Sequence, residues 1–264
     1  MPTFDSYRQG TPCYVELTTP DVAAARAFYG GLFGWALTDN PANESGESYD
    51  SASLEGDTVA GISSQASELA GHPAFWSVFL AVDDVDATAA GVSAAGGTVE
   101  VDPFDVRDLG RMAAIQDPTG ARFNLWEART HIGTARANEP NTPIWNELVT
   151  SDLDTATGFY AEILGVTWED SPTTADSVLA SYRTMYVADR AVAGALPPST
   201  EGLPPHWNVY FNVSELDETA AKAESLGGRI VVPAFDVPDV GLLAMLADPQ
   251  GALFWLMGAS PQAA

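Results

Sequence analysis

Apolar and polar residues alternate with a period of two where the first regular element begins. Cys13, Val15 and Leu17 fall on one face, and Tyr14, Glu16 and Thr18 on the other. That alternation predicts a strand with one face packed on a core. Pro20-Asp21 then opens a stretch in which Val22, Ala25, Phe28, Tyr29 and Leu32 recur at helical spacing, the signature of an amphipathic helix behind an acidic N-cap. The same grammar returns at Phe75–Val82, where Val78, Leu80 and Val82 oppose Phe75, Ser77 and Phe79. Asp83 and Asp84 follow, then a helix through Ala95 that stops at Gly96-Gly97. Short β-like runs broken by turn residues come after each helix, as at Thr58–Ile62, Met112–Ile115 and Arg122–Trp126. The predicted unit is strand–helix–strand–strand–strand.

This unit is written four times, because the chain is a tandem repeat. Thr11-Pro12 recurs as Thr142-Pro143, Glu16-Leu17 as Glu147-Leu148, Phe28-Tyr29 as Phe159-Tyr160, and Trp76 as Trp207. Asp117-Pro118 with Gly120 recurs as Asp248-Pro249 with Gly251, and the offset is constant (147 − 16 = 131; 248 − 117 = 131). A constant offset means that insertions are absent or balanced. The expected organisation is one domain over 8–128, a polar linker over 129–141, and a second domain over 142–259. Each domain holds two βαβββ modules, which makes an α+β fold of concave mixed sheets with helices outside.

Composition narrows the function classes. Among 264 residues, 11 basic against 36 acidic side chains give a net charge of −25. Such a surface repels phosphate backbones and anionic lipids, so neither nucleic acid nor membrane is an expected partner. The lone Cys13 leaves no intrachain disulfide framework and no paired-cysteine metal motif. No apolar run approaches the ~20 residues of a membrane span, and a cytoplasmic protein is expected. Two tandem domains can satisfy each other's surfaces, which favours a monomer with intramolecular domain pairing.

The string Glu16-Leu-Thr-Thr-Pro-Asp21, with Ala25, Phe28-Tyr29 and Leu32-Phe33-Gly34-Trp35, resembles the opening of vicinal-oxygen-chelate (VOC) domains. That superfamily includes glyoxalase I, bleomycin-resistance proteins and extradiol dioxygenases. Val82-Asp-Asp-Val-Asp86 and Asp117-Pro-Thr-Gly120 fit the resemblance too, which is strongest to actinobacterial tandem-VOC proteins described as glyoxalase-like or as hydroxylases. The resemblance implies metal ligands on the first strand, on the strand opening the second module, and on the last strand. Here those positions hold Tyr14, Ser77 and Asn124, then Trp145, Asn208 and Trp255. None is an imidazole, carboxylate or thiolate, the groups that divalent transition metals prefer. No metal and no cofactor are therefore expected.

Strand alternation gives the candidate ligand-binding residues: Tyr14, Glu16, Ser77, Phe79, Arg122 and Asn124 in the first cup, and Trp145, Asn208, Tyr210 and Trp255 in the second. Asn146 interrupts the apolar face of its strand. Glu147 and His206 are the candidate catalytic pair, a carboxylate and an imidazole suited to acid–base work near neutral pH. The competing reading makes each glutamate a wall residue, because Glu16 repeats Glu147 while His206 has only Phe75 as counterpart. The rings could stack on a flat ligand or, for Trp126, Trp145 and Trp255, pack between domains. Trp76 and Trp207 fall on the core face. Arg111 and Arg122 could hold an anion in the first cup or pair with neighbouring acids. Loop and linker contexts place His72 and His131 at the surface. The expected function is metal-independent binding or tailoring of a flat, partly apolar small molecule. The enzyme alternative is a glyoxalase-like lyase, isomerase or hydroxylase using Glu147 and His206, and a third reading is an interaction protein with degenerate cups.

Overall fold

The computed structural model describes residues 3–40, 48–171 and 181–259. The first half runs β1 (Pro12–Thr19), α1 (Val22–Phe33), β2 (Ala36–Asn40), β3 (Tyr49–Leu54), β4 (Asp57–Ser64), β5 (Phe75–Ala81), α2 (Val85–Val92), β6 (Thr98–Val106), β7 (Gly110–Gln116) and β8 (Arg122–Ala128). The second half repeats the order as β9 (Pro143–Val149), α3 (Leu153–Leu164), β10 (Thr167–Asp170), β11 (Arg183–Val187), β12 (Arg190–Leu196), β13 (His206–Asn212), α4 (Leu216–Ser225), β14 (Arg229–Val237), β15 (Gly241–Ala247) and β16 (Leu253–Gly258).

The aspartates that open the helices act as caps. Asp21 accepts from the Ala24 amide, Asp84 from Ala87 and Asp152 from Thr155, which satisfies a donor with no intrahelical partner. Each half forms one eight-stranded mixed sheet, ordered β2-β3-β4-β1-β5-β8-β7-β6 and β10-β11-β12-β9-β13-β16-β15-β14. The central pairs β1/β5 and β9/β13 are antiparallel, so the two modules of each half pair with one another. The expected four-module α+β architecture is what the chain adopts.

The helices cover the convex face of each sheet, and these covered faces meet. Phe33 and Trp76 of the first half touch Phe211 of the second at ring-centroid distances of 5.1 Å, and Phe123 lies 5.1 Å from Tyr160. One continuous apolar core results, with a concave face on the far side of each sheet.

The repeated motifs explain the join. Trp76 Nε1 donates to the Tyr29 hydroxyl at 3.1 Å, which donates to Asp248 Oδ2 of the other half at 3.1 Å. The mirror network runs from Trp207 to Tyr160 and on to Asp117, at 3.0 and 3.1 Å. Each aspartate's other oxygen holds its own Asp-Pro-x-Gly turn. Asp117 Oδ1 accepts from the amides of Thr119, Gly120 and Ala121, and Asp248 Oδ1 from those of Gln250 and Ala252. Phe-Tyr and Asp-Pro are thus two ends of one buried contact, made once in each direction.

Candidate active site in the second cup

The first cup is closed by the chain itself. The stretch 129–141, polar and glycine-containing, folds back as a strap. Thr134 N donates to Cys13 O at 2.8 Å, and its hydroxyl reaches Val59 O at 3.1 Å. Ala135 N and Arg136 N both donate to Thr58 O. Gly133 adopts φ +104°, with its α-carbon so close to Cys13 O that a side chain has no room. His131 is carried inside, 5.0 Å from the Tyr14 ring and 5.9 Å from Trp126, whose Nε1 donates to His131 O. The surface position expected for His131 is therefore corrected, because the linker's backbone groups find partners on the cup wall. His72 is exposed, as expected.

Under this strap Tyr14, Phe79 and Trp126 are only 4–5% exposed, and they form a small core of their own with Cys13. Cys13 leaves the helix-facing side because the ladder shifts register between Pro12 and Tyr14. Ser77 stands opposite Glu16, and Asn124 opposite Phe79. Arg122 lies at the rim on Glu100 (2.8 Å), and Arg111 is held by Asp86 and Asp105. Of the two roles left open for these arginines, the structure shows pairing with neighbouring acids of the first domain.

Glu16 accepts from Ser63 Oγ at 2.9 Å. Burial pushes its carboxyl up to about 7, against the lowering effect of that hydrogen bond. The folded chain therefore binds a proton that the unfolded chain has released between about pH 4.5 and 7. Stability is highest below that window and falls as pH rises through it. Glu16→Gln is expected to remove this slope, gaining about 1–3 kcal/mol over the parent at pH 8 and almost nothing at pH 4.5. Urea denaturation at the two pH values measures it, and equal gains at both would reject the assignment.

The second cup has no counterpart of the strap among the described residues. Glu147 sits on β9 between Gly194 of β12 and Asn208 of β13. Its Oε1 accepts from the Tyr182 hydroxyl at 2.8 Å and its Oε2 from the Tyr210 hydroxyl. Trp145 Nε1 in turn donates to Tyr182 Oη at 2.8 Å. Burial raises the Glu147 carboxyl above its ordinary range, while the Tyr210, Tyr182 and Trp145 hydrogen bonds pull the other way. Gly194 is required here, because any side chain at 194 would occupy the position of the Tyr182 hydroxyl. Trp255 stacks on Tyr210 (5.5 Å, 11°) and meets the edge of Phe235 (6.2 Å, 76°). Trp145, Asn208, Trp255 and Met257 remain half-buried, open toward the concave side. The trio of Glu147, Tyr182 and Tyr210 can hold or move a proton beside an apolar wall of rings.

His206 does not join this trio. Its Nδ1 lies 2.7 Å from Pro204 O, and among the described residues no hydrogen bond or ion pair links it to Glu147. The ladder explains the separation: Asn208 stands opposite Glu147, whereas His206 stands opposite Val149 at the strand's end. The expected Glu147–His206 pair is corrected to a Glu147–tyrosine network. Sequence reasoning missed Tyr182 and its first-half counterpart Tyr49, whose hydroxyl lies 2.7 Å from that of Tyr14. Ser48-Tyr49 recurs as Ser181-Tyr182 and Val59-Ala60-Gly61 as Val192-Ala193-Gly194. Both recur at an offset of 133 (182 − 49; 194 − 61), which a search at 131 passes over.

The duplicated sheets, with their concave faces, match a sequence profile described as "Glyoxalase/Bleomycin resistance protein/Dioxygenase superfamily" over residues 12–125 and again over 142–256. The chain belongs to this superfamily. Over 265 residues it is 44% identical to the Mycobacterium tuberculosis protein CFP32, provisionally named a glyoxylase, covering 99% of this chain and 100% of the relative. It is 36% identical over 261 residues to the anthracycline biosynthesis protein DauV of a Streptomyces species, covering 94% and 93%. Among solved structures, the Mn(II)-bound glyoxalase from Novosphingobium aromaticivorans superposes with a TM-score of 0.66 at 19% identity, over 96% of this chain and 83% of that one. The 2,3-dioxygenase LapB from Pseudomonas sp. KL28 gives 0.62 at 14% identity, over 98% and 96%. These two structures share the fold.

Metal-bound superfamily members raise the question of whether these cups suit an ion. The candidate ligand positions offer a phenol, a hydroxyl and an amide in the first cup, and two indoles and an amide in the second. Glu147, which faces the second cup, already accepts a phenol on each carboxylate oxygen. No group of three His, Cys, Asp or Glu side chains able to hold an ion occurs among the described residues. The donor set does not fit a divalent transition metal. Among the described residues, no helix is long and apolar enough to cross a membrane.

Proposed function

We propose that this superfamily member binds a flat, partly apolar, oxygen-bearing small molecule in its second cup, without a metal, as a binding or tailoring protein. The observation carrying this reading is the buried Glu147, hydrogen-bonded to buried Tyr210 and to Tyr182, beneath half-open Trp145 and Trp255. Rings offer stacking area and exclude water, while a few convergent polar groups fix orientation. The relative named for anthracycline biosynthesis supports a fused-ring aromatic as the ligand class. Of the predicted residues, Trp145, Glu147, Asn208, Tyr210 and Trp255 carry the site, and Tyr182 is added to them. Tyr14, Glu16, Ser77, Phe79 and Asn124 belong to a cup filled by its own strap. The chain acts as a monomer with its two halves paired face to face.

A second reading, a glyoxalase-like or hydroxylating enzyme, draws on the upward-shifted carboxyl of Glu147 and on the name of the 44%-identical relative. In that reading Glu147 takes a proton from an enolisable substrate, and Tyr210 and Tyr182 stabilise the charge that develops. Native mass spectrometry of chain purified from its own cells separates the readings. A retained aromatic ligand with no metal supports binding. Turnover of a substrate that Glu147→Gln abolishes while leaving its affinity intact supports the enzyme. A stoichiometric metal ion contradicts the proposal.

A further inference from the structure

A crevice of about 460 Å³ lies between the two halves where β1 and β9 begin, bordered by Tyr14 of the first cup and Trp145 of the second. Val15, Ile144, Val187 and Val192 give it apolar walls. Asn146 also lines it, 8% exposed, with Oδ1 buried and unpartnered and no hydrogen bond to its side chain among the described residues. Position 146 repeats position 15 (146 − 15 = 131), so the second copy carries an amide where the first carries valine. A buried amide without partners destabilises a fold, and the first copy shows that this strand folds with an apolar residue there.

Arg8 and Arg190 stand exposed at the mouth, beside Asp189, with no ion pair or hydrogen bond to either guanidinium among the described residues. Among the described residues Arg229 shares this lack of a partner, whereas Arg26, Arg111, Arg122, Arg129, Arg136 and Arg183 rest on acids in this chain of net charge −25. Two free cations outside, apolar walls, and an orphan amide within describe a linear recognition pattern. Guanidinium groups suit a carboxylate, and Asn146 can give to or accept from a hydroxyl at the far end.

We propose that this crevice is a second small-molecule site, beside the second cup and sharing Trp145 with it, for a one-ring hydroxycarboxylate. Its volume suits one such molecule. The test titrates isotope-labelled chain with para-hydroxybenzoate and follows the Asn146 side-chain amide and the Trp255 indole by NMR. Saturating shifts are expected at Asn146 and over 187–190, with Trp255 unmoved. Benzoate, lacking the hydroxyl, and para-hydroxybenzamide, lacking the charge, are expected to bind about tenfold more weakly. Asn146→Val keeps the fold, melts no lower than the parent, and loses the preference for para-hydroxybenzoate over benzoate. Arg8→Gln with Arg190→Gln loses the preference over the amide. No saturation by about 10 mM, shifts confined to Trp255, or an unchanged preference in Asn146→Val each overturns the proposal. Ring binding in the cup is reported separately by Trp255, which does not line the crevice.

Discussion

Replacing Asp117 or Asp248 by alanine is expected to lower the free energy of unfolding by about 3–5 kcal/mol, the scale for removing a buried charged acceptor from several donors. Each aspartate is at most 4% exposed and performs two tasks. One oxygen holds the amides of its own turn, and the other receives the tyrosine of the opposite half. For a chain of this size the loss corresponds to a fall in melting temperature of about 10 °C. Tyr160→Phe removes only the cross-half arm and is expected to cost about 1–3 kcal/mol, since Trp207 Nε1 loses its acceptor as well. A double-mutant cycle between Asp117→Ala and Tyr160→Phe should show a coupling of about 1 kcal/mol or more. The exposed Asp86, paired to Arg111, serves as control, and its replacement by alanine is expected to change stability far less than that of either buried aspartate. Additive losses, or an Asp117→Ala variant as stable as the control, would show that the two halves are joined by apolar packing alone.

The two-copy plan was legible because it rests on local rules. Alternation at Tyr14–Thr18, acidic caps at Asp21, Asp84 and Asp152, and turns at Asp117-Pro and Asp248-Pro all act within a few residues of chain. What those repeated residues reach for was not legible. Tyr29 finds Asp248 across 219 positions and Tyr160 finds Asp117 across 43, and nothing in the local pattern names the partner. The strap over the first cup escaped for a related reason. Arg129–Asn141 is polar and small enough to read as a linker, and its fit depends on carbonyls of Cys13, Thr58 and Val59 far away in sequence. In the second cup the glutamate and rings followed from strand parity, whereas Tyr182 lies just before β11 and was hidden by a shifted offset. His206 was placed on the inward face by parity, but parity does not say how far along the ladder two side chains sit.

The asymmetry of the cups leads to the second large effect. Trp255→Ala is expected to weaken binding of a dihydroxyanthraquinone about 100-fold, in the range for an aromatic anchor in a buried ligand site. Glu147→Gln and Tyr210→Phe should each cost about tenfold, because each breaks one member of the network that orients the ligand. The first-cup counterparts predict the opposite outcome. Asn124→Ala and Ser77→Ala lie in the strapped cup and are expected to leave the affinity within about twofold. Quenching of tryptophan fluorescence by the quinone reads all five. Losses of equal size in both cups would mean that the strap opens and that the two sites are alike.

The central claim is that one cup, furnished with rings around a bonded carboxyl, holds the ligand and does so without an ion. Calorimetric titration of chelator-treated chain with dihydroxyanthraquinone, repeated after adding manganese, addresses it most directly. One quinone per chain at the same affinity in both conditions is the predicted result. Two quinones per chain, or heat of binding only when manganese is present, would contradict it.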